Sequence, residues 1–326
     1  MLRRFSHLFV LFAVMLVVVI ILWSLTGTDF MNLGNLQSMA YQMPELGILS
    51  LAMMITMLTA GINLSIIATA NLAGIVMALI LTNESMLASL GDVGTMMVAI
   101  IAGLIVAGLV GILNGFLISR LDMSPILATL GTSILLGGVS IVLTQGYVIS
   151  GFSPVMLSVG SGRVLGVPVP LIIFLAAAGV MGLILNNTPL GTRIYLIGSN
   201  PVATFFSGVN NRSVLMRTYI ISGILSGVAA VVMISRFNSA KADYGESYLL
   251  LTVLASVLGG VSAAGGFGRV SGLVLSLVIL QMISSGLNLM GVSNFLTLAL
   301  WGVVLIVVMV IKYVIENKVQ LRRRAA

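Results

Sequence analysis

Cysteine is absent from this sequence, and histidine and acidic residues are scarce. The 326 residues include no Cys, one His and eight Asp or Glu. Without Cys the chain has no disulfide framework, no thiolate nucleophile and no cysteine metal site. The single histidine, His7, lies at the start of an apolar run, so His-based catalytic triads and zinc proteases lack their base or ligands. We therefore expect neither a metal site nor a catalytic site.

The sequence also lacks the residues expected for ATP binding and for proton-coupled transport. No lysine follows a glycine, so the GK[ST] core of a phosphate-binding P-loop is missing and the chain cannot use ATP alone. No charged residue falls in the middle of a predicted apolar run, whereas proton and ion relays generally need buried ionisable groups. We expect no cofactor bound by this chain, and a proton-coupled pump is disfavoured.

Apolar residues dominate the sequence. Hydrophobic residues make up 59% of the chain and charged residues 7%, with a mean hydropathy of +1.21. A soluble domain of this composition would expose apolar patches far above the usual few hundred Å². The net charge of +7 comes from basic residues that flank apolar runs, which argues against nucleic-acid binding. The sequence predicts a polytopic protein of the lipid bilayer.

Ten apolar runs are candidates for membrane helices, each of which needs about 20 residues to cross the hydrocarbon core. They are 8–25, 46–60, 65–82, 95–118, 124–144, 169–186, 214–235, 248–262, 269–287 and 294–312. The second and eighth are short and flanked by Gly, Asn and Ser, which favours broken or re-entrant helices there. We predict an all-α transmembrane bundle of about ten spans, forming one domain over residues 1–326.

Basic residues orient this bundle, because they concentrate in cytoplasmic loops. Twelve of the fifteen fall on one side if the N-terminus is cytoplasmic: Arg3, Arg4, Arg120, Arg193, Arg212, Arg217, Arg269, Lys312, Lys318, Arg322, Arg323 and Arg324. Only Arg163, Arg236 and Lys241 fall outside, with the acids Asp29, Glu45, Glu84, Asp92, Asp243 and Glu246. Asp122 and Glu316 remain inside. Both termini are therefore predicted to be cytoplasmic.

Small residues form two ridges at four-residue spacing, a pattern that lets helices approach closely. One is Gly103, Ala107, Gly111 and Gly115; the other is Ser222, Ser226 and Ala230, beside Gly223 and Gly227. Packing within the chain is the simpler interpretation. A dimer face or a moving joint is the alternative.

A few amides and hydroxyls interrupt the apolar runs, and each needs a partner or a watery path. They are Asn63, Ser65, Asn71, Asn114, Gln281 and Asn288. Each one alone is explained by an interhelical hydrogen bond. As a set they could line a route for a polyhydroxylated solute, because amides exchange hydrogen bonds with sugar hydroxyls.

The longest polar interruption runs from residue 186 to 217 and carries three arginines but no acid. Within it, Asn200 is suited to cap a helix and Pro201 to its first position. Gly208 is suited to end it. We predict a helix of about two turns on the cytoplasmic surface, within a loop spanning 187–213.

These motifs resemble the permease subunits of bacterial ABC importers of the ribose, xylose and autoinducer-2 type. Residues 60–65, AGINLS, are similar to the family pattern GGIDLS. Asn114-Gly115 followed by PILATLGT at 125–132 matches a second element, and residues 188–210 match a cytoplasmic element almost completely. VLGG at 257–260, GGFG at 265–268 and residues 286–292 continue the resemblance, which covers about 30–312.

The resemblance implies partners and roles. Such permeases work in the bacterial inner membrane as homo- or heterodimers, receive solute from a periplasmic sugar-binding protein, and are driven by cytoplasmic ATPase subunits that use ATP and Mg²⁺. The coupling helix that docks on the ATPase would consist of Asn200, Pro201, Val202, Ala203, Thr204, Phe205, Phe206, Ser207 and Gly208. The chain departs from the pattern at Asn63, where the family usually has Asp, and at Ala60. This departure fits a diverged member of a heterodimer.

Three other functions remain open. A branched-chain amino acid permease shares the architecture, although the GINLS element and the Asn200 loop favour the sugar type. A secondary transporter would follow an ion gradient and need no ATPase. An intramembrane enzyme would need a catalytic group, for which the sequence offers no candidate.

Overall fold

The protein is a bundle of α-helices with short connections. The computed structural model describes residues 2–293, 295–308 and 310. Its helices are α1 (Leu2–Thr26), α2 (Leu33–Leu58), α3 (Ile66–Leu81), α4 (Glu84–Ser119), α5 (Pro125–Thr144), α6 (Pro154–Ser161), α7 (Val169–Asn187), α8 (Pro189–Ser199), α9 (Pro201–Phe206), α10 (Asn211–Phe237), α11 (Tyr248–Leu258), α12 (Val270–Leu289) and α13 (Phe295–Val308). The predicted all-α class is confirmed.

Each of the ten predicted apolar runs overlaps a helix. Seven helices in the described part of the chain are long and apolar enough to cross a membrane: α1, α2, α4, α5, α7, α10 and α12. The three remaining runs form the shorter apolar helices α3, α11 and α13. The end of the tenth run and the residues Lys312, Glu316, Lys318, Arg322, Arg323 and Arg324 lie outside the described residues. So do the side chains of Arg3, Arg4 and His7.

The second run is longer than predicted. Instead of a short segment over 46–60, α2 has 26 residues, from Leu33 to Leu58, and contains Pro44 in its interior. Proline removes one helical hydrogen bond, a loss that neighbouring helices compensate within membrane bundles. Almost every residue from Met43 to Leu58 is buried, so α2 is the central helix of the bundle.

Glu45 was assigned to the outer side, just before the apolar run 46–60, but the structure places it within helix α2. Because α2 begins at Leu33, Glu45 lies inside it with no exposed side-chain surface, 2.7 Å from the guanidinium of Arg236 in the last turn of α10. The hydroxyl of Tyr248 lies 3.5 Å from the other carboxylate oxygen. A buried carboxylate requires such partners. Charged groups therefore do occur inside this bundle, as an ion pair between α2 and α10.

The two small-residue ridges pack against each other. A Cβ on Gly111 would lie 2.7 Å from the carbonyl oxygen of Tyr219, and one on Gly227 would lie 2.8 Å from the Cβ of Ala107. Glycine therefore lets α4 and α10 approach at backbone distance. This supports intramolecular packing as the role of both ridges.

Among the described residues, four two-residue strands cluster at one end of the bundle. Strand β1 (Ile149–Ser150) pairs antiparallel with β4 (Ser239–Ala240), which ties the α5–α6 connection to the end of α10. Strands β2 (Arg163–Val164) and β3 (Val167–Pro168) form a hairpin whose tip residue, Leu165, is fully exposed. At the opposite end lie α8, α9 and two linkers, residues 59–65 and 259–269.

Candidate coupling helix and polar pathway

Helix α9 is present where the sequence predicts a short helix. The side chain of Asn200 caps it by accepting a 2.9 Å hydrogen bond from the amide of Ala203. Pro201 occupies the first helical position, and the hydroxyl of Thr204 donates to the carbonyl of Asn200 at 2.7 Å. The helix ends at Phe206, and Gly208 then takes the left-handed conformation with φ of +80°. These are the contacts that its capping residues favour.

The outer surface of α9 is apolar and exposed. Phe205 is 65% exposed and Phe206 82% exposed, and their rings meet edge to face at 5.8 Å. Val202, at 64%, extends the same surface, whereas Thr204 is buried against the bundle. Large apolar side chains gathered in a polar loop are typical of an interaction surface. We call Val202, Phe205 and Phe206 the α9 patch.

Helix α8 precedes α9 and was not predicted. Its 11 residues begin at Pro189, after Thr188, whose hydroxyl accepts a 3.3 Å hydrogen bond from the amide of Gly191. Gly191, Ile194, Ile197 and Gly198 are its buried face. The dipeptide Thr188-Pro189 is the same start signal as Asn200-Pro201, so the sequence did contain the information. Because only Asn200 separates α8 from α9, α8 connects the α9 patch to the bundle.

Three glycines bring α8, α2 and the 259–269 linker into backbone contact. The amide of Gly266 donates a 3.0 Å hydrogen bond to the carbonyl of Leu58, the last residue of α2. A Cβ on Gly198 would collide with that same carbonyl, and one on Gly265 would lie 2.8 Å from the carbonyl of Gly198. We call Gly198, Gly265 and Gly266 the glycine junction. No side chain larger than hydrogen fits at these positions in this arrangement.

Three of the predicted pathway residues form one buried network. Asn63 donates to the hydroxyl of Ser222 on α10 at 3.0 Å and accepts from the hydroxyl of Ser65 at 2.8 Å. Asn114 on α4 donates to Ser65 at 2.8 Å. Ser222 in turn donates to the carbonyl of Ala52 on α2 at 2.8 Å. All four polar side chains are buried, so in this arrangement they join α2, α4 and α10 through the 59–65 linker.

Asn71 has a separate position. On α3, its amide nitrogen donates to the carbonyls of Ala242 at 2.8 Å and Tyr244 at 3.0 Å, in the loop after β4. The side chain is 6% exposed. It holds this loop against α3 and does not contact the Asn63 network.

Gln281 and Asn288 lie at the other end of the bundle, near a polar cleft. Gln281 on α12 donates to the side-chain oxygen of Gln42 on α2 at 3.2 Å. Gln42 and Asn288 both line a cleft of about 470 Å³ between the start of α2, the end of α12 and α13. The structure thus separates the six predicted residues into three locations. Gln42 was missed because its segment was assigned to a loop.

Comparison with known proteins identifies the family. Residues 35–311 match the family described as the permease component of the branched-chain amino acid transport system. The chain belongs to this family. It is a permease of the bacterial inner membrane, and its helical bundle agrees with that location.

Individual relatives carry more specific descriptions. The chain is 34% identical to the ribose import permease protein RbsC of Bacillus subtilis, over 90% of this chain and 88% of that protein. It is 29% identical to the D-allose transport system permease protein AlsC of Escherichia coli, over 89% and 87%. It is 31% identical to the autoinducer 2 import system permease protein LsrD of Escherichia coli, over 95% and 93%. No solved structure matches the chain.

Family membership does not test the roles of individual residues. The assignment of α9 as the coupling helix, and of Asn63, Ser65, Asn71, Asn114, Gln281 and Asn288 as pathway residues, stays a prediction. The geometry of Asn63, Ser65 and Asn114 is that of an interhelical contact. Gln281 makes an interhelical hydrogen bond to Gln42, and Asn288 lines the polar cleft.

Proposed function

We propose that this permease is the membrane-spanning subunit of an ATP-binding-cassette importer for a monosaccharide or a similar polyhydroxylated solute. The observation that carries the proposal is the resemblance, over about nine tenths of the chain, to permeases named for ribose, allose and autoinducer-2 import. The family description names branched-chain amino acids, so an amino acid permease is the competing assignment.

The proposed topology has ten membrane segments with both termini in the cytoplasm. Contacts between distant segments support this alternation. Residues assigned to the outer side meet one another, as in the 3.0 Å hydrogen bond from the Tyr41 hydroxyl to the carbonyl of Ser161 and in the Ile149–Ala240 strand pairing. Residues assigned to the inner side also meet, as in the hydrogen bond from the Tyr195 hydroxyl to the carbonyl of Gly268 at 2.9 Å.

The proposed partners are two cytoplasmic ATPase subunits, a second permease and a periplasmic sugar-binding protein. ATP and Mg²⁺ would act on the ATPase, so this chain would need no catalytic group of its own. Asn63, in place of the aspartate usual in the sugar-type permeases, favours a paralogue as the second permease. Recovery of an active complex that contains only this permease and its ATPase would overturn the heterodimer.

The α9 patch would seat on the ATPase. Since α8 and α9 are separated by one residue, a movement of α9 would be carried by α8 to the glycine junction. There α8 contacts both the end of α2 and the 259–269 linker. Closure of the ATPase dimer would therefore act on the central helix α2 through backbone contacts. Because these contacts are tightly packed, a displacement of α8 would also displace α2.

Reconstituted uptake tests the proposed function. The permease, its neighbouring ATPase and binding protein would be placed in liposomes and offered labelled ribose, allose, autoinducer-2 and leucine. We expect uptake of at least one of the first three, dependent on internal ATP and unaffected by ionophores. Uptake that follows an ion gradient without the ATPase would establish a secondary transporter instead. Uptake of leucine alone would establish the amino acid assignment.

A further inference from the structure

A polar cleft opens at the end of the bundle where Tyr41 contacts Ser161. Its volume of about 470 Å³ falls within the range of roughly 300–1,000 Å³ that is usual for small-molecule sites. The segment leading into α2, α2 itself, α12 and α13 supply its walls. The lining residues are Asp29, Asn32, Asn35, Ser38, Gln42, Ser284, Ser285, Asn288, Leu289 and Thr297. Nine of these ten have polar side chains, whereas most of the helix surface around them is apolar.

Some of these polar groups are already used inside the protein. The hydroxyl of Ser285 donates to the side-chain oxygen of Asn35 at 2.6 Å, and Asn35 donates to the carbonyl of Phe30 at 2.8 Å. The hydroxyl of Ser38 donates to the carbonyl of Gly34 in its own helix at 2.9 Å. These contacts fix the walls of the cleft.

Other polar groups have hydrogen-bonding capacity to spare. The contact with Gln281 uses the side-chain oxygen of Gln42, which leaves the amide nitrogen of Gln42 available in the cleft. Within the described part of the chain, the side chains of Asp29 and Asn288 have no hydrogen-bond partner. The cleft thus offers both donors and acceptors, which is what a solute with several hydroxyl groups requires.

Beyond the Gln42–Gln281 pair, polar side chains on α2 are buried and bonded within the protein. One turn further along α2, Glu45 is buried and bonded to Arg236. Beyond it, nearly all side chains from Ile48 to Leu58 are buried and most are apolar. A polar solute that enters the cleft would therefore reach Gln42 and meet packed helix below it.

The described lining contains no aromatic side chain. A sugar held there would exchange hydrogen bonds with water for hydrogen bonds with amides, a net gain of only about 0.5–1.5 kcal/mol each. Weak binding suits a site on a transport path, because a solute that binds tightly does not leave.

We infer that this cleft is a low-affinity reception site for a polyhydroxylated solute and that Gln42, held by its hydrogen bond from Gln281, forms its floor. The inference rests on the proposed function. It adds a place where the solute first contacts the permease, and it names Gln42 as a residue that contacts hydroxyl groups of the solute there.

The test replaces both glutamines by methionine, which has a similar length but does not donate hydrogen bonds. The complex of permease, ATPase and binding protein in liposomes would be assayed for uptake of labelled ribose, allose and autoinducer-2 and, in parallel, for ATP hydrolysis. Gln145→Met is the matched control, since it makes the same substitution at an exposed glutamine at the end of α5 that does not line the cleft.

We expect solute transported per ATP hydrolysed to fall roughly tenfold in Gln42→Met/Gln281→Met, the size of effect typical when hydrogen bonds to a polar solute are lost without replacement. ATP hydrolysis stimulated by the binding protein, and the ratio in Gln145→Met, should stay unchanged. An unchanged ratio in the double variant would overturn the inference, as would an equal fall of uptake and hydrolysis, which indicates a structural role. Failure of the unmodified complex to import any of the three probes would overturn the proposed function and this inference with it.

Discussion

The amide of Gly266 donates a hydrogen bond of 3.0 Å to the carbonyl oxygen of Leu58. This bond joins the linker after α11 to the end of the central helix α2, directly beneath Gly198 of α8. The neighbouring segments are α9, the proposed coupling helix, on one side and the Asn63 network on the other. The segment that carries α9 and the core of the bundle therefore meet at backbone atoms.

Gly198→Ala should impair transport. The added methyl group would collide with the Leu58 carbonyl and the Gly266 amide, and relief requires α8 to move away from α2. Overpacking of this kind typically costs about 1–3 kcal/mol. We expect a fall of roughly tenfold in ATP-driven uptake, measured in liposomes.

Gly179→Ala is the matched control for Gly198. It also adds one methyl group to a helical glycine, but nothing lies within 4 Å of that position. Uptake should stay unchanged. Equal uptake in the two variants would show that the glycine junction does not constrain the transport cycle.

Ser222→Ala should destabilise the bundle more than Ser226→Ala. The hydroxyl of Ser222 accepts from Asn63 and donates to Ala52, so its loss leaves a buried amide unpaired at a cost of about 1–3 kcal/mol. The hydroxyl of Ser226 only donates to the Ser222 carbonyl within α10. Thermal unfolding in detergent would measure both. A larger loss in Ser226→Ala would contradict the network.

The ion pair between Glu45 and Arg236 predicts that a double variant folds better than either single variant. Arg236→Met alone leaves a fully buried carboxylate unpaired, at a cost of about 3–5 kcal/mol. Glu45→Leu alone leaves Arg236 without its carboxylate and should cost less, because the Arg236 side chain is 25% exposed. The double variant removes both charges and should recover most of the yield of folded protein, measured by size-exclusion chromatography. Additive losses would show that the two side chains do not act as a pair.

Leu165 and Phe206 should lie on opposite sides of the membrane. Because the chain has no native cysteine, Leu165→Cys and Phe206→Cys each carry a single thiol. Both positions are highly exposed, at 100% and 82%. A membrane-impermeant maleimide should label Leu165→Cys in intact spheroplasts and Phe206→Cys only after lysis. Labelling of Phe206→Cys before lysis would contradict the proposed topology and indicate the opposite orientation.

The sequence was most informative where a local signal acted alone. Asn200, Pro201 and Gly208 predicted α9, because capping depends on neighbouring residues only. The same reasoning applied to Thr188-Pro189 would have found α8. The glycine junction could not be predicted from the sequence, since it depends on contacts among three segments that are distant in the chain.

Glu45 shows the opposite case. A carboxylate beside Pro44 suggests a loop, because proline commonly begins a helix and charge avoids hydrocarbon. The burial of Glu45 is stabilised by its contact with Arg236, which lies 191 residues away in the sequence. Gln42 was missed for the same reason, since its partner Gln281 lies on α12. Pairings between distant helices were not visible in the local pattern.

Cross-linking from Phe206 tests most directly whether α9 couples this permease to an ATPase. Phe206→Cys would be fitted with a short photoreactive maleimide in the assembled complex, with Leu165→Cys as the control on the proposed outer side. We predict a covalent product between Phe206→Cys and the ATPase subunit, and none between Leu165→Cys and that subunit. A complex that imports solute with ATP but gives no ATPase product from Phe206→Cys would contradict the account.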